Sequence, residues 1–157
     1  MTAAPPALLP QLPALPKPGA RLDLPVLAGS ADALSLAQLT GGGRMLAVVT
    51  ANPLDAQRLQ EEIAWFAPRL RVHLLPDWET LPYDQFSPHQ DLISERLATL
   101  YAVSRNECEV LIAAASTAVT RLAPPSFLAG HTFFMKKGER LDIGKLRAQL
   151  TVAGYQH

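Results

Sequence analysis

Three short segments constrain the fold of this chain most: the apolar runs Met45–Thr50 and Val110–Ala115, and the strand pattern Arg71–Leu75 between them. A continuous apolar run is the signature of a strand buried on both faces, as in a parallel sheet. The stretches between the runs carry helix signals. Right-handed crossovers fold the order strand, helix, strand, helix, strand, helix into one mostly parallel sheet. The class read from the residues is therefore α/β.

The helix signals are local and chemical. Asn52 is placed to cap a helix with Pro53 at its first position and Asp55 in its first turn. Leu54, Leu59, Ile63 and Phe66 can face inward, and Pro68 ends the pattern. Ser87, Pro88 and Gln90 have the spacing of a capping box. The helix that follows carries an apolar stripe of Leu92, Ile93, Leu97, Leu100 and Tyr101. Earlier, Val26–Gly29 reads as a short strand ending at a turn, and Ser30–Leu39 as a helix capped by Ser30 or Asp32. Ser116–Leu122 reads as a short helix stopped by Pro124 and Pro125.

Beyond Pro125 the style changes. His131–Met135 reads as a strand, Lys136–Gly138 as a turn, and Ile143–Val152 as a helix started by Asp142. The end at His157, just after Gly154 and Tyr155 open a new segment, suggests a second domain cut short. Residues 1–20 form a Pro/Ala-rich tail in which proline forbids helix and ladder pairing. The expected division is thus a tail over 1–20, an α/β domain over 21–125, and the start of an α+β inserted domain over 126–157.

Composition narrows the function. Lysine plus arginine and aspartate plus glutamate both number 14, which argues against a dedicated, electrostatically driven nucleic-acid binder. The single cysteine, Cys108, allows no disulfide within the chain and fits a reducing cytoplasm. It reads as a small buried hydrophobe. No run of roughly 18 apolar residues is present, so no membrane span is expected.

An α/β sheet raises the question of a phosphate-binding loop. Such a loop needs several glycines, a lysine for the phosphates and a Ser or Thr for magnesium. The candidate segment, Ala28–Ser35, offers Gly29, Ser30 and Ser35 but no lysine, and Asp32 would repel phosphate. No lysine occurs between Lys17 and Lys136. The second glycine cluster, Gly41–Gly43, precedes a strand rather than a helix and reads as a connection.

The loop from Pro76 to about Pro88 is the richest in chemistry. Asp77, Glu79, Asp84, His89 and Asp91 match no standard metal-ligand spacing. Trp78, Tyr83 and Phe86 have two readings. They can stack on bases, or pin the loop onto the sheet, which is favoured. If the Trp78 ring packs in this way, its removal to alanine should cost roughly 3–5 kcal/mol. His73, inside a strand pattern, reads as structural. Lys136, Lys137, Arg140, Lys145 and Arg147 form the only basic cluster, read as a solvated face with a phosphate or an acidic partner as the alternative.

Two groups of residues carry a family resemblance. Asp77–Asp84, Phe86–Asp91 and Ile93–Leu97 form one, and Met135–Leu141, Leu146–Leu150 and Ala153–Tyr155 the other. With these the chain resembles the bacterial transcription-repair coupling factors, the Mfd family, from about Leu24 to His157. The resemblance implies the N-terminal, UvrB-like region of an ATP-dependent DNA translocase that displaces stalled RNA polymerase and recruits UvrA. It implies a helicase-like, P-loop NTPase-like but degenerate sheet over 21–125, followed by the start of a UvrA-docking domain. Thr50–Gln57 resembles the segment after the phosphate loop of UvrB. The family's motor, its ATP and magnesium sites, and its contacts to double-stranded DNA and RNA polymerase lie beyond His157. No catalytic, cofactor or metal residue is carried over to this chain, and a cytoplasmic location is implied.

Two other classes stand beside a non-catalytic scaffold. One is a UvrB-type ATPase or helicase lobe, against which the missing lysine counts. The other is a stand-alone α/β interaction module.

Overall fold

The structure is a computed structural model that describes residues 12, 16–40, 43–80, 83–126, 128, 135 and 137–152. Its elements are α1 (Ala31–Leu39), β1 (Leu46–Thr50), α2 (Pro53–Phe66), β2 (Val72–Leu75), α3 (Gln90–Ser104), β3 (Val110–Ala114), α4 (Ala115–Ala118) and α5 (Ile143–Val152).

The three strand segments form one parallel sheet in the order β1-β3-β2. Leu46 and Val72 both register with Val110, on either side of the central strand. The β1-to-β2 connection therefore passes over β3, and the β2-to-β3 connection returns. Right-handed crossovers in opposite directions place α2 on one face of the sheet and α3 on the other. The α/β expectation with a parallel sheet holds for these strands.

The α2 side contains the core. Ala33, Ala56, Leu59, Ile63, Val110 and Ile112 are buried together, with Leu46, Val48, Val72 and Leu74 packed against them. Asn52 caps α2 as its sequence predicts: its Oδ1 accepts from the Asp55 amide at 2.9 Å. Pro53 occupies the first turn. Arg71 and Glu109 tie the starts of β2 and β3 together. The Arg71 amide donates to Glu109 Oε2 at 3.0 Å, and this bond holds the Glu109 carboxyl below its ordinary pKa.

Several expectations are corrected. Val26–Gly29 forms no strand; residues 21–28 run as irregular chain, and Gly29 and Ser30 form a turn. Leu54 is 79% exposed, because it lies on the side of α2 opposite the face that carries Ala56, Leu59 and Ile63. β1 is not buried on both faces: its burial alternates, and Val49 is 62% exposed. An apolar run fixes a strand, but only a neighbour on each face buries it, and β1 lies at an edge of the described sheet. Only β3, the central strand, behaves as the run predicts.

The Ser87–Gln90 capping box does not form. α3 starts at Gln90 with His89 as its cap, and His89 Nδ1 accepts from the Asp91 amide at 3.3 Å. Gln90 is then the first helical residue rather than the third, too early to answer Ser87. The stripe on α3 is rotated as well: its buried residues are Arg96, Thr99 and Ala102 rather than the leucines. α4 stops at Ala118 instead of Leu122. Thr120 donates through its hydroxyl to the Thr117 carbonyl at 2.7 Å and closes the turn there.

α5 starts as expected, with Asp142 Oδ1 accepting from the amides of Gly144 and Lys145 at 3.0 and 3.1 Å. None of its side chains is buried. The expected strand at His131–Met135 falls outside the described residues except for Met135, and the 1–20 tail largely does.

Candidate functional site

The carboxyl ends of β2 and β3 converge where the chain leaves the sheet, the edge at which open α/β sheets bind ligands. Here β2 runs into the loop at Pro76 and β3 runs directly into α4. Three side chains fix the start of that loop. Arg96 Nη1 donates to the Pro76 carbonyl. Thr99 Oγ1 donates to the Leu74 carbonyl at 3.0 Å. Ser116 Oγ, in α4, donates to Asp77 Oδ2 at 2.6 Å. The other Asp77 oxygen accepts from the Trp78 amide at 2.7 Å, so the carboxylate spans two segments 39 positions apart.

Arg96 is only 2% exposed. Its guanidinium carbon lies 4.1 Å from the centroid of the Trp78 ring. Nε and Nη2 are buried with no hydrogen-bond partner among the described residues. Burial pushes the pKa of this group down, and the charge of Asp77 opposes that shift. The aromatic face is thus a second partner of a cation that, among the described residues, hydrogen-bonds to Pro76 alone.

A cleft of about 340 Å³ opens beside this junction. Pro53, Ala56 and Gln57 of α2 form one wall, with Leu74, Leu75 and Pro76 along the floor. Asp77, Glu79, Ala114 and Thr117 complete it. Glu79 sits at φ +58°, a left-handed conformation uncommon for a residue with a Cβ and most often found where surrounding structure enforces it. Thr117 is 1% exposed, and its hydroxyl has no hydrogen-bond partner among the described residues.

The structure separates the loop residues that sequence grouped together. Asp77, Trp78 and Glu79 lie at the junction. Tyr83 and Phe86 do not pin the loop: they are 98% and 81% exposed. His89 and Asp91 belong to the cap of α3, 3.4 Å apart. Asp84 is exposed. Among the described residues no group of three or more His, Cys, Asp or Glu side chains could hold a metal ion.

The phosphate-loop candidate has a different geometry from a strand–loop–helix. Gly29 turns at φ +58° after irregular chain. Ser30 stands at the helix start without a side-chain cap. Ser35 Oγ donates to the Ala31 carbonyl at 2.7 Å inside α1. Asp32 takes the helix N-terminus, accepting from the Ala33 amide at 2.7 Å, and pairs with Arg58 at 2.8 Å. The hydrogen bond from Arg58 lowers its pKa. Of the basic cluster, Lys137, Arg140, Lys145 and Arg147 are exposed, and Lys136 is outside the described residues. Cys108 is buried two residues before β3, and burial pushes its thiol pKa up.

Sequence reasoning missed Arg96, Thr99, Ser116 and Thr117. One signal was available. Arg96 is the sole cation between Arg71 and Arg105, so it stood alone in a helix read for its apolar stripe.

No family model matches the chain. It is 44% identical over 142 residues to the transcription-repair-coupling factor of Escherichia coli (strain K12), a match covering 90% of this chain and 12% of that protein. It is 41% identical over 127 residues to the transcription-repair-coupling factor of Haemophilus influenzae (strain Rd), covering 80% of this chain and 11% of that protein. A third relative of the same name, from Rickettsia bellii, is 30% identical over 100 residues. The chain thus spans 9% to 12% of the length of these relatives.

Proposed function

Over the segment it shares with them, this chain belongs to the transcription-repair-coupling factors, and on that premise we propose that it is a non-catalytic scaffold of such a factor. In the whole protein, ATP-dependent translocation on double-stranded DNA displaces stalled RNA polymerase. UvrA is then recruited for nucleotide excision repair in the cytoplasm. ATP and magnesium belong to the motor, not to residues 21–125, which are a degenerate UvrB-like, helicase-like lobe. Residues from 126 begin the domain that docks UvrA.

The identity over 90% of the chain carries the family reading. The scaffold reading is supported by the first turn of α1. A phosphate would need that helix N-terminus and a free serine hydroxyl. The Asp32 carboxylate accepts there from the Ala33 amide, and Ser35 is bonded to the Ala31 carbonyl. No helix among the described residues is long and apolar enough to cross a membrane.

Two measurements test this. Titration of the chain with ATP and magnesium should give no saturable binding; binding that is lost on changing Gly29 or Ser35 would establish the ATPase-lobe reading instead. Sequencing the gene past codon 157 should reveal an open frame with a phosphate loop and its lysine far downstream, and the gene product should bind UvrA. A stop codon there would leave the stand-alone interaction module.

A further inference from the structure

The charge of the junction loop is one-sided. Between Arg71 and Arg96 the sequence holds Asp77, Glu79, Asp84, Asp91 and Glu95, with no lysine or arginine. Arg96 is buried beneath Trp78 and presents no cation at the surface, although its charge is felt by Asp77. Two of the carboxylates, Asp77 and Glu79, line the 340 Å³ cleft, whose other walls are mainly apolar: Pro53, Ala56, Leu75 and Ala114 among them. The same loop carries Tyr83 and Phe86 with their rings in solvent.

We propose that this loop and cleft form a docking site for a cationic segment of a protein partner, with an arginine or lysine side chain entering the cleft. The walls match such a side chain along its length. The aliphatic stem lies against Pro53, Ala56 and Leu75, and the charged head reaches the carboxylates of Asp77 and Glu79. The volume is at the small end of the roughly 300–1,000 Å³ range for ligand pockets, which suits a single side chain.

Thr117 supplies an independent observation. Buried hydroxyls are nearly always hydrogen-bonded, and an exception calls for a partner. Its Oγ1 has none among the described residues, and the residue lines the cleft. A small rotation of this side chain would turn the hydroxyl to an N–H group entering from a guanidinium or ammonium. Outside the cleft, Tyr83 and Phe86 provide the exposed aromatic anchors that dominate protein interfaces. The charge excludes the alternative use of those rings. A nucleic acid stacking on them would bring phosphates against an uninterrupted acidic loop, whereas single-strand binders pair aromatic platforms with a basic groove. The site is independent of the scaffold role and of any ATP chemistry.

The probe is a short acetylated peptide alternating leucine and arginine, with the citrulline version as its neutral isostere, titrated into the 157-residue chain. The arginine peptide should bind and move the amide resonances of Asp77, Glu79 and Thr117. The citrulline peptide should bind roughly fivefold more weakly or worse, the loss expected for a charge-assisted hydrogen bond. Glu79→Gln and Thr117→Val should each weaken the arginine peptide, and Tyr83→Ala should do so without changing the fold. Equal affinity for both peptides, no binding, or shifts centred away from the cleft would overturn the proposal. So would oligo-dT binding that is lost in Tyr83→Ala, which would assign the rings to base stacking.

Discussion

Arg96 lies under Trp78, 4.1 Å from guanidinium carbon to ring centroid, and the same guanidinium donates to the carbonyl of Pro76. A residue of α3 thereby holds both the first residue after β2 and the first aromatic of the loop. The loop departs from the sheet in one direction because a buried cation needs both contacts.

Arg96→Ala should destabilise the chain by roughly 2–4 kcal/mol, since it leaves a cavity, frees the Pro76 carbonyl and removes the support of Trp78. Arg96→Met keeps most of the volume and removes a poorly partnered charge, so it should lie within about 1.5 kcal/mol of the parent. Denaturant midpoints of the two variants decide between volume and charge; an equal loss in both would make the Pro76 hydrogen bond the dominant contribution.

Trp78→Ala should cost about 1–2 kcal/mol, less than the 3–5 kcal/mol of a core aromatic. The ring is half-buried and rests on a cation rather than inside the cluster around Ile63. A chemical-denaturation loss above 3 kcal/mol would show that the ring packs more deeply than this geometry.

Tyr83→Ala and Phe86→Ala should each leave stability within about 0.5 kcal/mol, because neither ring has much buried surface to lose. Thermal melts check this directly. A drop of several degrees in either variant would mean that the loop rings contribute to the fold.

Asp32 gives a pH dependence with a definite sign. Its folded pKa is depressed below the ordinary value of 3.8 by the hydrogen bond from Arg58. A depressed carboxylate contributes stability above its unfolded pKa and loses it as pH falls through the folded pKa. The contribution should therefore be intact at pH 5 and above and fade below about pH 4. Asp32→Asn should remove that acid-side component and cost about 0.5–1 kcal/mol at neutral pH, the scale for partly exposed pairs. Equal acid sensitivity in both proteins would place the titration elsewhere.

Cys108 should react slowly with thiol reagents in the folded chain and rapidly once denatured. It is buried, and burial raises its pKa, so little thiolate is present near neutral pH. Fast labelling under native conditions would show that the start of β3 opens.

The alternation of apolar runs and helix signals was legible because strand and helix periodicities are written locally. So was the Asn52–Pro53–Asp55 start of α2, since a cap needs only neighbours within one turn. The failures share a cause. Leu54 and Val49 are exposed, and Arg96 is buried, because burial depends on what lies across the gap rather than on the residue's own polarity. Ser87 and Gln90 kept a cap spacing without forming one, because His89 offered an acceptor nearer the true first turn.

The sequence by itself determined the α/β class, the three strands, the kinship with the coupling factors and the acidic, aromatic character of the junction loop. Hydrophobic period, capping chemistry and charge count are properties of neighbouring residues, so they survive without coordinates. Only the tertiary structure decided that β3 is central, that Trp78 turns inward while Tyr83 and Phe86 face water, and that Asp77 meets Ser116 across 39 positions. Those outcomes depend on which distant groups the crossovers bring together, and no local pattern encodes the partner that a buried charge or hydroxyl finds.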